Sequence, residues 1–145
     1  MIGVVARDHL GEVLKIRAVS FQCDIPELAE AYGILQGLIL ASEEGWTNLV
    51  CESDAKNIIS SLNSSNLQLT HWSAEGILND ILLMQGLFQS VVFNWAPRQS
   101  NFLAHFVCNW CIRNYISGTF SASFFPSMFS YFVSQERGGE ATSFV

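Results

Sequence analysis

Positive charge is what this sequence has least of. Lysine and arginine total 7 against 13 aspartates and glutamates, a formal net charge of −6. Nucleic-acid binding draws much of its affinity from Lys and Arg set against phosphate, so this balance argues against tight binding by the chain alone. Cysteine is also sparse. The four, at positions 23, 51, 108 and 111, form no disulfide framework; Cys51 lies in an apolar run and Cys23 just before a helix, the usage of intracellular core thiols. The lone CxxC, Cys108-Asn109-Trp110-Cys111, has no second pair and no strand before it. It reads as two core thiols one helical turn apart, the alternative being a redox pair or half a zinc site. No uninterrupted apolar stretch reaches the roughly 18–20 residues that a membrane helix needs. Arg7 and Asp8 break the opening apolar run, so no signal peptide is expected. An intracellular location follows as an expectation, with the compartment left open.

Apolar residues, by contrast, make up 50% of the 145, enough for one domain with a sizeable core. The stretch from Asp24 to Asp54 organises the rest. Leu28, Ala31, Tyr32, Leu35, Leu38 and Ile39 recur at the helical period. Asp24 is placed to cap this helix, Glu27 completes a capping-box pattern, and Pro26 fits the first turn. Glu30 has no such structural task. At about 100° per residue it shares a side with Ile34, Gly37, Leu38 and Ala41, where a carboxylate costs free energy unless solvated, paired or bound to a cation. After a turn at Gly45, a strand over Asn48–Glu52 leads to Asp54 at the start of the next helix. Asp54 reads either as that helix's cap or as an oxygen ligand, and the two roles are compatible. Glu30 and Asp54 could converge at one edge of a sheet, where oxygen ligands suit Mg²⁺ or Mn²⁺.

Elsewhere, Met1–Ala6 and Glu12–Ser20 read as a β-hairpin around a polar turn that contains a solvated His9. Helical spacing returns over Ala55–Leu62 and His71–Phe88, separated by a polar loop at Asn63–Leu69, with His71 and Glu75 on the surface. Ser90–Trp95 is a strand stopped by Pro97, followed by a loop and a helix over Asn101–Ile116. The tail from Ser117 shifts to Ser and Phe and reads as a short docked segment, disordered after about Gln135.

The run AEAYGILQGLILASEEGWTNLVCESDA, the segment RQSNFLAHFV (Arg98 to Val107) and the opening GVVARDHLGEV (Gly3 to Val13) together resemble the plant-type ribonuclease H-like domains, which are reverse-transcriptase-like members of the type 1 ribonuclease H superfamily. The resemblance covers roughly residues 2–135. It implies an α/β fold, a mixed sheet with flanking helices in strand order 3-2-1-4-5, as one domain over residues 1–135 with a tail at 136–145. It also implies that the chain opens in what corresponds to strand two. The first, central strand is then missing, leaving the hairpin and the strand near residue 50 across a gap. A strand-donating partner or self-association would close it.

Ribonucleases of this class cut the RNA strand of an RNA–DNA hybrid with two Mg²⁺ (or Mn²⁺) ions about 4 Å apart. Carried onto this sequence, the helix carboxylate is Glu30, the one after the strand is Asp54, and the last position is His105, whose neutral imidazole could ligate metal or move protons. Arg98 and Asn101 would contact substrate phosphate or hold their loop. The family's first Asp has no counterpart. The expected function is therefore a nucleic-acid-binding domain of the RNA–DNA hybrid ribonuclease class, with hydrolysis impaired; the alternative is a non-catalytic nucleic-acid or protein interaction module on the same scaffold.

Overall fold

The computed structural model describes residues 1–64 and 72–136. Most of the loop expected at Asn63–Leu69, together with His71 and the end of the tail, lies outside the described residues.

The hairpin forms as expected. Strands β1 (Ile2–Arg7) and β2 (Val13–Val19) pair antiparallel, with a register shift between Ala6 and Arg7. The Asp8 carboxylate shapes the turn by accepting from the backbone N–H groups of Leu10 and Glu12, both at 2.9 Å. Helix α1 (Pro26–Glu43) then runs under both sheets of the molecule. Its start differs from the sequence expectation. Ile25, not Asp24, is the capping residue, and no side chain caps the helix, so the capping box does not form. With Pro26 at the first helical position, an orphan N–H is already absent there and the cap has less to satisfy. Gly45 closes α1 at φ +74°, a left-handed turn that suits glycine.

Strand β3 (Asn48–Ser53) follows and pairs in parallel with β4 (Ser90–Trp95). Between them lie α2 (Lys56–Asn63) and α3 (Ala74–Gln85). Ala55 is the residue before α2 and no side chain caps it, so Asp54 does not take up the capping role. A 3₁₀ turn at Arg98–Asn101 leads into α4 (Phe102–Asn114). The tail is more structured than a docked segment: β5 (Gly118–Phe120) pairs antiparallel with β2, and α5 (Ser127–Glu136) follows a second 3₁₀ turn.

The sheet is broken in two, β1-β2-β5 and β3-β4, and α1 packs against a strand of each. One apolar cluster joins Ile2, Val4 and Ala6 of β1 to Ile34 and Leu38 of α1 and to Leu49 and Cys51 of β3. A second lies on the other face, where Val5 and Ile16 meet Leu103 and Val107 of α4 and Phe129 of α5. Gly3 permits the close approach of β1 to α4: a Cβ there would sit 2.6 Å from the Ala104 carbonyl oxygen and 2.9 Å from Cys108 Sγ. Side-chain ties fasten β2 in place. Arg17 pairs with Glu43 at the end of α1 and donates to Thr119 Oγ1 at 3.0 Å, and Lys15 pairs with Glu44 at 3.3 Å. Among the described residues, no helix is long and apolar enough to cross a membrane.

Candidate functional site

The end of β3 is where the polar chemistry collects. Pairing of Ser53 with Trp95 holds the ends of β3 and β4 level, so the residue after each strand emerges on the same side. Asp54 leaves β3 there with its side chain 12% exposed. Its backbone carbonyl accepts from Lys56 N–H at 3.0 Å and from the Trp95 indole at 3.3 Å, which fixes the turn. The 3₁₀ turn after β4 brings Arg98 Nη1 to 3.9 Å from Asp54 Oδ2. One turn into α4, His105 Nε2 lies 3.4 Å from the same oxygen. That nitrogen is buried and makes no hydrogen bond of acceptable geometry among the described residues.

Glu30 completes the group from α1. Burial, then the neighbouring Asp54 carboxylate, hold its carboxyl up at about 7, with Arg98 pulling in the opposite direction. Near neutral pH the Glu30 carboxyl therefore keeps its proton far more readily than an ordinary carboxylate does. Glu30, Arg98, Asn101, His105 and Cys108 share the wall of a cavity of about 300 Å³. A second cavity, about 480 Å³, opens on the other side of Glu30 between the starts of α1 and α2.

The structure thus brings Glu30, Asp54, His105 and Arg98 together. Asn101 joins the cavity wall but is only 8% exposed, which suits it to holding the turn, whereas the Arg98 side chain is 76% exposed and free to meet a phosphate. Two neighbours join the site that the sequence did not place beside these carboxylates. Trp95 is half exposed, with Lys56 Nζ 6.0 Å from its ring centre, and forms the outer lip beside Asp54. Cys108 lines the cavity. Its thiol is pushed up to about 11 by burial, so it stays protonated and unreactive. Burial raises the Cys111 thiol as well, and the cysteines are all free, in keeping with core thiols.

The donor types suit a divalent cation: a carboxylate oxygen, a buried imidazole nitrogen without a hydrogen bond, and a second carboxyl nearby. The spacing does not match them. Among the described residues, no three His, Cys, Asp or Glu side chains gather closely enough to hold an ion. The residues present do not fit a two-ion cluster.

The family model described as reverse transcriptase-like matches residues 1–111. No curated protein matches the chain.

Proposed function

The chain belongs to the reverse transcriptase-like family, whose domains are ribonuclease H-like, and from that premise we propose that it is a nucleic-acid-binding domain of the RNA–DNA hybrid ribonuclease class in which hydrolysis is impaired. The observation that carries this reading is the meeting of Glu30, Asp54 and His105 with the exposed Arg98 at the end of β3. In it, Arg98 takes a substrate phosphate, because a guanidinium offers a planar fork of donors to phosphate oxygens. Asn101 holds the turn that presents Arg98. Glu30 and Asp54 are the residues that would hold a single Mg²⁺ or Mn²⁺, weakly since no third donor joins them among the described residues; such an ion would lower the pKa of bound water and polarise the phosphoryl group. His105, beside Asp54, is placed to hold or pass a proton.

A second reading is a non-catalytic interaction module on the same scaffold. It is favoured by the seven Lys and Arg residues against 13 acids and by the absence of a three-donor cluster among the described residues. Calorimetric titration with Mn²⁺ on the chain and on Asp54→Asn, beside a cleavage assay on a labelled RNA–DNA hybrid, separates the two. Weak Mn²⁺ binding that Asp54→Asn abolishes, with slow or absent cleavage, is the expected result. A folded chain that binds neither Mn²⁺ nor the hybrid would leave only the second reading.

A further inference from the structure

Positive charge is scarce in this chain, and it is not spread evenly. Arg7 and Arg17 are buried, and Lys15 pairs with Glu44 at 3.3 Å. Among the described residues that leaves Lys56, Arg98 and Arg113 as exposed cations. Lys56 and Arg98 both stand at the end of the parallel pair. Arg98 Nη1 lies 3.9 Å from Asp54 Oδ2, and Lys56 Nζ lies 6.0 Å from the centre of the Trp95 ring.

Exposed aromatic rings occupy the same end of the molecule. Trp95 is 51% exposed, and its indole donates to the Asp54 carbonyl oxygen at 3.3 Å. Phe102, 42% exposed, opens α4 directly after the 3₁₀ turn that carries Arg98. Its ring meets Phe132 of α5 edge to face at 4.8 Å, and Phe132 meets Tyr131 edge to face at 5.8 Å. Tyr131 is 62% exposed. Rings from β4, α4 and α5 therefore form a line with the two cations at its Trp95 end. Edge-to-face contacts leave ring faces open, and apolar surface in water is unfavourable unless a ligand covers it. Ring faces interleaved with cations suit bases and the phosphates between them.

We propose that this track binds single-stranded nucleic acid, with about three unpaired bases stacked on Trp95, Phe102 and Tyr131 and their phosphates met by Lys56 and Arg98. The inference rests on the nucleic-acid reading above and sharpens its ligand to a strand, RNA or DNA, that is unpaired where it crosses the site. Two arguments favour a strand over a duplex. Bases within a duplex stack on one another and show a protein only their edges and backbone, so exposed rings gain nothing from them. A duplex also presents about one phosphate per 1.7 Å of its axis, a charge density that two cations beside Asp54 meet poorly. Stacking needs no positive charge, which is how a chain with 7 bases against 13 acids can still hold a strand. An apolar protein face fits less well, because it would take Lys56 and Arg98 out of water without repaying the cost.

The probes are a labelled RNA of about 12 nucleotides, the DNA of the same sequence, and the RNA annealed to its complementary DNA. Fluorescence anisotropy on the whole chain, with and without Mn²⁺, gives the affinities, and quenching of tryptophan fluorescence reports stacking. The expected result is that a single strand binds at least about tenfold more tightly than the hybrid and quenches tryptophan; comparing the two strands tells RNA from DNA. Without Mn²⁺, the slope of log K against log salt should be about −1.4, the value for two phosphate contacts on a single strand. Phe102→Leu and Tyr131→Leu keep apolar bulk but remove a ring face, and each should weaken strand binding about fivefold or more. Tyr115→Leu, an exposed ring at the far end of α4, should not. A hybrid that binds as well as either strand, with Phe102→Leu and Tyr131→Leu unaffected, would overturn the inference and leave the nucleic-acid reading standing. A folded chain that binds none of the three probes would overturn both. Equal losses in Tyr115→Leu would overturn the track as the site. Variants that change sedimentation but not strand affinity would assign the rings to a second copy and overturn the inference as well.

Discussion

The antiparallel sheet and the parallel pair are built from strands of similar length, yet they are held very differently. Strand β2 is paired on both edges and tied by Arg17 and Lys15 to the end of α1, and an aromatic cluster around Phe129 closes its outer side. Strand β4 has one partner among the described residues, and it exposes half of Val92 and half of Trp95. The candidate chemistry sits on the less supported half. Asp54 and Arg98 leave the ends of β3 and β4, and only His105 comes from the better-held side. A site that must admit a large ligand is drawn from elements with few covering contacts, while elements that carry stability are closed over.

The largest effect should come from the closed half. Phe129 is fully buried, and Phe129→Ala is expected to cost about 3–5 kcal/mol in a denaturant melt. Because α1 packs on both sheets, exchange protection should fall in β3 and β4 as well as in β1 and β2. Protection that survives in β3 and β4 alone would show that the halves fold separately, and the contrast would become one of kind.

The next effect belongs to the open half and depends on pH. Glu30 titrates near 4.5 when unfolded and at about 7 when folded. Its folded pKa is raised, so the folded state binds more protons than the unfolded state between these values. Its contribution to stability is full below about 4.5 and is lost as pH rises through about 7. The difference reaches up to about 3 kcal/mol. Glu30→Gln, which cannot ionise, should remove this loss, so that the variant melts higher than the parent at pH 8 and gains little at pH 4. Equal pH profiles for the two proteins would mean that Glu30 is solvated and that the site is not the strained part of the molecule. Mn²⁺ should also bind the parent more tightly as pH rises through about 7, because the ligand form is the carboxylate.

Much of the architecture was legible in local pattern. Period-two alternation and the turn around Gly11 located the hairpin, and Ser90–Trp95 matched its strand residue for residue. Glu30 was legible because a carboxylate on an apolar helix face demands an explanation. What pattern could not reach were choices between nearly equal local solutions. Asp24 had the right chemistry for a cap, but Pro26 let the helix begin at Ile25 without one; Asp54 had it too, yet turned its carboxylate toward Arg98 and His105. The tail was harder still. Phe125 and Phe129 signalled burial, but a three-residue strand depends on the open edge of β2, which lies about a hundred residues away in the chain. Trp95 and Cys108 became neighbours of the site only through tertiary placement, which spacing within one element does not encode.

The smallest expected effect sharpens the comparison from the stable side. Helix α4 ends at Tyr115, whose φ of 54° and ψ of 42° put a residue with a Cβ in the left-handed region. Its N–H caps the helix by donating to the Cys111 and Ile112 carbonyls, so the backbone conformation is useful even though the residue type is not. The side chain is 97% exposed and loses no packing if removed. Glycine adopts this conformation without the clash, at the cost of more freedom in the unfolded chain. Tyr115→Gly should therefore stabilise the protein by about 0.5–1 kcal/mol, read as a small rise in melting temperature. Mn²⁺ binding should stay unchanged, because the gain falls on α4's far end from His105. A variant that melts higher but binds Mn²⁺ differently would show that the two ends of α4 are coupled, and that the stable half sets the geometry of the open one.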